Sequence, residues 1–179
     1  MSRNLHPAEG MSLPAVERSL ILSIDIGVRG AIALLTPEGQ LIDVMDMPIL
    51  NDGPAGRRAV NAPLLAETIF NSHATQAFVE FVGARPGEGA VGAFAFGRSR
   101  GVVEGVLGAA GIPVTFIAPA AWKRAIGIKP GGEGAKHAAR AEAIHRWPSH
   151  ATLFARVKDD GRAEAALIGI AGLMKEARQ

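Results

Sequence analysis

One apolar run, residues 20–26, constrains the fold of this chain more than any other feature of its sequence. The run is Leu-Ile-Leu-Ser-Ile-Asp-Ile and stops at Gly27, a pattern typical of a buried β-strand. Its only carboxylate, Asp25, lies near its end. A carboxylate there requires water, a cation or a hydrogen-bond donor, because burying an unpaired charge is costly. Asp25 is therefore a candidate functional residue.

Two other parts of the chain place carboxylates in comparable positions. Glu80 follows the apolar residues of the next clean strand, and Asp160 and Glu164 lie in the first turns of the last predicted helix. Carboxylates that recur at the ends of apolar elements suggest a shared divalent metal site. The candidate catalytic residues and metal ligands are therefore Asp25, Glu80, Asp160 and Glu164.

Each of these carboxylates also has a structural interpretation. Asp25 can be a turn aspartate held by backbone amides, and Glu80 can form a buried ion pair with an arginine. Asp159 and Asp160 can cap the last helix, where free amides and the helix dipole favour carboxylates. Asp160 and Glu164 share one helix face, where they repel by roughly a few tenths of a kcal/mol unless a cation lies between them. The sequence leaves open whether Asp159 or Asp160 is the ligand.

Composition favours a single globular domain without disulfides. The 179 residues include no cysteine, so thiolate metal sites are excluded and a cytoplasmic location is the default expectation. No segment approaches the roughly 18 consecutive apolar residues that cross a membrane. Residues 1–19 lack the pattern of a secretory signal and predict a flexible leader, and residues 20–179 are expected to form the domain.

Positive charge is locally concentrated although the net charge is only +2. Residues 120–147 carry six basic residues against two acidic ones, and Arg98 and Arg100 form a second cluster. Such clusters beside an acidic site suit a polyanion whose phosphates contact lysine and arginine, although each one alone is better explained as a solvated helix face. The candidates for DNA contacts are Arg98, Arg100, Lys123, Lys129 and Lys136.

Hydrophobic periodicity predicts an α/β fold in which helices cover a mixed sheet. Strands are predicted over residues 20–26, 31–35, 41–47, 76–82 and 114–117. Helices are predicted over residues 61–71, 91–110, 119–126, 134–147 and 160–178. Residues 51–56 and 83–89 are predicted to be loops.

Several of these blocks resemble the RuvC-type Holliday junction resolvases, which are RNase H-like nucleases. The similarity includes the first strand pair, the second acidic strand and the C-terminal acidic helix, the last in the form found in phage-type members. The matching blocks are residues 22–27, 30–33, 79–82, 96–101, 119–123 and 160–168.

The resemblance implies an RNase H-like fold and a homodimer that makes paired nicks in branched DNA, above all in four-way junctions. It also implies two Mg²⁺ or Mn²⁺ ions per site, with Asp25 bridging them, Glu80 on one, and Asp160 and Glu164 on the other. The glycine-rich helix over residues 91–110 is a candidate part of the dimer interface, with core packing as the alternative.

The chain departs from the pattern of that family in two places. The last two metal-binding residues of the family are three residues apart, whereas Asp160 and Glu164 are four apart. The aromatic residue that helps to open the junction in bacterial members falls near Gly83. Phe81 or Phe94 can replace it, although core packing is the favoured interpretation for both.

Two other functions stay open. A non-catalytic, architectural DNA-binding protein can use the same fold, and metal-dependent nicking would separate it from a nuclease. An actin-like or sugar-kinase-like ATPase is the other alternative, because residues 25–27 followed by a hairpin resemble the phosphate loop of those enzymes. Such ATPases need a second lobe, for which 179 residues are too few.

Overall fold

Five strands form the central sheet of the computed structural model. It describes residues 19–53, 56–81, 83, 87, 89–129 and 132–178, without the side chains of residues 132, 133, 135 and 136. The first three strands are antiparallel neighbours, and the last two lie parallel to the first on its other side, in the order β3-β2-β1-β6-β7. The five strands are β1 (Leu20–Asp25), β2 (Ala31–Leu35), β3 (Leu41–Asp46), β6 (Ala74–Glu80) and β7 (Val114–Ile117).

A separate antiparallel hairpin and five helices complete the described part of the fold. The hairpin consists of β4 (Ile49–Asn51) and β5 (Arg58–Val60). Two short 3₁₀ helices, Pro148–Phe154 and Val157–Asp159, precede the last α-helix. The α-helices are α1 (Ala62–Asn71), α2 (Ala90–Ala109), α3 (Pro119–Ile126), α4 (Gly132–Arg146) and α5 (Asp160–Glu176).

The helices cover the sheet on both faces, which explains why β1 has apolar residues at consecutive positions. Leu22 and Ile24 are buried in a cluster with residues of α1 and α2. Ile21 is buried on the opposite face in a cluster with residues of α3, α4 and α5. Because side chains alternate along a strand, a strand covered on both faces needs apolar residues at consecutive positions.

Helix α5 lies unusually close to the sheet because glycines face it. A β-carbon on Gly172 would lie 2.2 Å from the Phe78 ring, and one on Gly169 would lie 2.7 Å from Ser23 Oγ. At the start of the helix, a β-carbon on Gly161 would lie 2.4 Å from the carbonyl oxygen of Arg29. These three contacts fix the height and the rotation of α5 over β1 and β6.

The predicted order of strands and helices is confirmed, with ends that differ by a few residues. Two features were missed. The β4–β5 hairpin includes part of the segment predicted as a loop, and the 3₁₀ helices fill the segment between α4 and α5. The leader, except Ser19, and part of the predicted loop over residues 83–89 lie outside the described residues. None of the helices described is long and apolar enough to cross a membrane.

The close contact between α5 and the sheet predicts the effect of adding one methyl group. We expect Gly172→Ala to lower the free energy of unfolding by about 1–3 kcal/mol, because its β-carbon collides with the buried Phe78 ring. Gly134→Ala, in α4, is the control, because a β-carbon there meets no atom within 4 Å. That control should be neutral or stabilising in urea unfolding. Equal losses in both variants would contradict this account of α5.

Candidate active site

Asp25 and Glu80 end two neighbouring parallel strands side by side. Ile24 of β1 is paired with Val79 of β6, so the register brings Asp25 next to Glu80. Paired residues on adjacent strands direct their side chains to the same face of a sheet. Ser23 and Phe78, two residues earlier in each strand, face α5. Both carboxylates therefore belong to the face that α5 covers.

Glu80 is held by the indole of a buried tryptophan. Its side chain is almost fully buried, and Trp122 Nε1 donates a hydrogen bond to Glu80 Oε1 over 2.8 Å. Trp122 itself is completely buried. A buried carboxylate needs such a donor, since desolvation without a partner costs several kcal/mol. Helix α3 therefore positions the Glu80 carboxylate from the side.

The next residue of α3 contacts the next carboxylate. Lys123 Nζ lies 3.5 Å from Glu164 Oε1, and both side chains are mostly buried. Because Trp122 and Lys123 are consecutive, a single turn of α3 touches both Glu80 and Glu164. Pro119 at the start of α3 and Gly127 at its end, with a φ of 84°, define the limits of this short helix.

Asp160 is engaged by a different helix. Its Oδ1 lies 2.9 Å from Nε of Arg140 in α4, and the exposed fractions of the two side chains are 18% and 10%. The two atoms are close enough for an ion pair, although the N–H of Arg140 is not directed at the oxygen. Arg140 is also in contact with His137 Nδ1 at 2.7 Å. The structure thus connects Asp160 to α4, whereas Glu164 contacts α3.

Asp159 has a structural role. It is buried and accepts hydrogen bonds from the backbone N–H and the guanidinium of Arg156, which form a capping box around the second 3₁₀ helix. Burial acts to raise the pKa of Asp159, but the hydrogen bonds from Arg156 outweigh it and the pKa is lowered. The cap predicted for the last helix is therefore wrong: the side chain of Asp159 makes no capping hydrogen bond to α5 and closes the preceding 3₁₀ helix with Arg156. Both carboxylate oxygens of Asp159 accept hydrogen bonds from Arg156.

The residue three positions before Glu164 is Gly161, and the fold leaves no space there for a side chain. A β-carbon at this position would lie 2.4 Å from the carbonyl oxygen of Arg29 and 3.2 Å from Gly30. An acidic residue three positions before Glu164 is therefore incompatible with the packing of α5 on the β1–β2 turn. The spacing of four residues between Asp160 and Glu164 has this steric cause.

Glu80, Asp160 and Glu164 each contact a nitrogen atom of a neighbouring side chain. Within the part of the chain that the structure describes, no three Asp, Glu or His side chains come together closely enough to hold a metal ion. The atoms that could bind a metal ion here are carboxylate oxygens, the ligand type that Mg²⁺ and Mn²⁺ prefer. Asp25 and Glu80 share the sheet face that α5 covers, and α3 contacts both Glu80 and Glu164, so these three carboxylates are the candidates to hold such an ion.

The predicted DNA-binding residues are distributed over several surfaces. Arg98 forms an ion pair with Asp52 of the hairpin region, and Arg100 lies over the rings of Phe81 and Phe116. Lys123 is at the carboxylates, and Lys129 is exposed. The side chain of Lys136 lies outside the described residues. The structure therefore brings Lys123, among the residues whose side chains it describes, directly to the candidate site.

Core packing was the wrong interpretation for Phe81 and Phe94. The exposed fractions of these side chains are 46% and 73%. Sequence reasoning also missed the roles of Trp122 and Arg140. The only signal for Trp122 was its place in the block of residues 119–123 that resembles RuvC-type proteins, and Arg140 was counted only as a positive charge.

Comparisons with known proteins agree with the architecture. Two solved structures of RuvC from Thermus thermophilus are similar to this chain. One, in complex with a Holliday junction substrate, has 15% sequence identity and a TM-score of 0.55, covering 88% of this chain and 95% of that one. The other has 17% identity and a TM-score of 0.51, covering 89% and 96%. No model of a protein family and no curated protein matches the sequence.

The mixed five-stranded sheet with helices on both faces is an α/β fold of the RNase H-like class. Within that class, the chain has a RuvC-like fold. The fold that the sequence blocks predicted is therefore confirmed.

The two acidic residues of α5 should differ in their effect on stability. Asp160→Asn should lower the free energy of unfolding by about 3 kcal/mol, because it leaves the buried Arg140 without its counter-charge. Glu164→Gln, the matched control, should cost less than Asp160→Asn, since its contact with Lys123 is longer, at 3.5 Å, and beyond normal hydrogen-bond length. Urea unfolding of both variants measures the difference. Equal losses would show that the ion pair with Arg140 is not the main role of Asp160.

Proposed function

We propose that this protein is a metal-dependent endonuclease that cuts branched DNA, above all four-way junctions, by paired nicks. The observation that carries the proposal is that Asp25 and Glu80 end neighbouring strands of a RuvC-like fold, and that α3 contacts both Glu80 and, through Lys123, Glu164 of the covering helix α5. The junction-bound RuvC of Thermus thermophilus supports the choice of substrate. Carboxylates that hold divalent cations beside a lysine suit a phosphodiester group, which is anionic and becomes more so as it reacts.

In this proposal Asp25, Glu80 and Glu164 hold Mg²⁺ or Mn²⁺. When bound, such ions supply an activated water and neutralise charge on the leaving oxygen. Trp122 keeps the Glu80 carboxylate oriented, and Lys123 provides a positive charge for a non-bridging phosphate oxygen. Asp160, the fourth ligand expected from the sequence, joins this set only if its ion pair with Arg140 opens. Whether one or two ions bind depends on that step.

Replacing Asp25 tests the proposed chemistry. Asp25→Asn should lower the rate of cleavage of a labelled, immobile four-way junction more than about 100-fold, because it removes a metal-binding oxygen. Binding of the junction should be retained. Asp43→Asn is the control, because Asp43 is an exposed aspartate on β3 whose side chain accepts a hydrogen bond from the backbone of Val44. Its cleavage rate should equal that of the wild type in Mg²⁺ or Mn²⁺, and EDTA should abolish both activities.

The other outcomes distinguish the alternatives. Junction binding without cleavage in any metal would favour an architectural DNA-binding protein. Binding of ATP without junction preference would favour the ATPase. Loss of both binding and cleavage in Asp25→Asn would show that Asp25 is not purely catalytic. Symmetric nicks on opposite strands would support the paired cleavage that a dimer performs.

The exposed face of α2 supports a homodimer. Gly101, Gly105 and Gly108 are exposed, and a β-carbon at any of them would meet no atom within 4 Å. Glycine in a helix interior costs up to about 1 kcal/mol relative to alanine, and packing within the described chain does not require it here. Glycines on a helix surface allow another backbone to approach closely. We therefore place α2 against the same helix of a second copy.

A large side chain on this face should separate the two copies. Gly105→Leu should shift the protein from dimer to monomer in sedimentation velocity, because the leucine prevents close approach of the helices. Gly134→Leu is the control, since Gly134 is also exposed with open space around it but lies in α4. A wild-type monomer, or a Gly105→Leu protein that stays dimeric, would refute this interface.

A further inference from the structure

A cleft of about 290 Å³ lies between the β4–β5 hairpin and the N-terminal half of α2. The hairpin contributes Arg57 and Arg58, and α2 contributes Val91, Phe94 and Arg98. The turn that follows β1 forms the end of the cleft through Gly27 and Val28. None of these residues has a role in the metal site described above.

The charge of the cleft favours an anionic occupant. Arg57 and Arg58 are exposed on the hairpin. Arg98 is paired with Asp52, which also lines the cleft and connects the hairpin to α2. The cleft residues therefore include three guanidinium groups and one carboxylate. Exposed guanidinium groups in this arrangement suit the phosphates of a nucleic acid strand.

The apolar part of the cleft favours a flat ring. The exposed fractions of Phe94 and Val91 are 73% and 70%, and both belong to the lining. Exposed apolar residues that are grouped together and surrounded by charge are typical of binding sites. An aromatic ring beside arginines is the usual platform for stacking an unpaired base.

The position of the cleft connects it to the carboxylates. Gly27, at its end, is two residues after Asp25, and two residues of chain span at most about 7 Å. The carboxylates lie on the face of the sheet covered by α5, whereas the cleft lies on the α2 side of the same edge. A DNA strand that crosses this edge of the sheet can contact both the carboxylates and the cleft.

We propose that this cleft binds an unstacked nucleotide of the DNA strand that passes the carboxylates, with its base on Phe94 and its phosphates near Arg57 and Arg58. The identity of the polymer rests on the proposed function, but the test does not depend on cleavage. A second copy of the chain is the competing occupant, because Phe94 and the exposed glycines belong to the same helix.

The test measures binding of a short, labelled oligothymidylate in EDTA by fluorescence anisotropy. Phe94→Ala should weaken binding roughly fivefold or more, the loss expected for one base–aromatic stack. Phe70→Ala is the matched control, because the Phe70 side chain is also exposed, at 55%, but lies on α1 outside the cleft. That variant should bind like the wild type.

A second probe isolates the base. An oligonucleotide of the same length with abasic sites should bind the wild type about as weakly as Phe94→Ala binds the oligothymidylate. Phe94→Ala itself should lose little further affinity for the abasic strand. Arg57→Gln and Arg58→Gln should each lower the salt dependence of binding by about 0.7 in the slope of log K against log salt, whereas Arg146→Gln should not.

Equal affinities of Phe94→Ala and Phe70→Ala would overturn the proposal. It would also be overturned if Phe94→Ala became monomeric in sedimentation velocity and lost affinity for that reason, which would assign the cleft to the interface. Cleft binding that persists while no branched DNA is cleaved would support the cleft and count against the endonuclease. If Phe94→Ala cleaves the junction at the wild-type rate and also binds the oligothymidylate like the wild type, the endonuclease would be supported and the cleft refuted.

Discussion

The contact of α5 with β1, β6 and the β1–β2 turn determines where the acidic residues lie. Three glycines of α5, at positions 161, 169 and 172, face atoms of the sheet and the turn at distances that leave no space for a β-carbon. The helix therefore has one height and one rotation over the strands. Gly161 contacts Arg29 and Gly169 contacts Ser23. In the sequence, Glu164 lies between these two glycines, and Asp25 lies between Ser23 and Arg29. Backbone packing thus sets the relation between these carboxylates.

The same contact explains why the two acids of α5 behave differently. Successive residues of an α-helix are rotated by about 100°, because a turn contains 3.6 residues. With Gly161 directed at the β1–β2 turn, Asp160 is rotated away from it and meets Arg140 of α4. Glu164 follows three residues after Gly161 and meets Lys123 of α3. A residue at position 161 therefore faces the β1–β2 turn, whereas a residue at position 160 lies between α5 and α4.

Much of this arrangement follows from the sequence, because long elements leave clear patterns. The apolar run of β1, the strand before Glu80 and the acidic start of α5 were predicted from local composition, and the fold is confirmed. The β4–β5 hairpin was missed because its strands have three residues each, too few to show alternation. The Trp122–Glu80 contact joins residues 42 positions apart, so no local pattern encodes it. Phe81 and Phe94 were assigned to the core because hydrophobicity alone does not show which residues lack a covering element.

The contacts of α3 determine how the proposed site can accept a metal ion. Glu80 accepts a hydrogen bond from a neutral indole, whereas Glu164 contacts the ammonium group of Lys123, so α3 meets the two carboxylates with groups of different charge. A divalent ion brings twice the charge of an ammonium group and attracts both carboxylates more strongly than one ammonium group can. The indole does not compete with the ion by charge, so Trp122 can keep its bond to Glu80. An ion held by Glu164 would displace Lys123, which would then be available to a phosphate. In α3, Trp122 thus orients the carboxylate of Glu80, and the next residue, Lys123, occupies the place beside Glu164 that a metal ion would take.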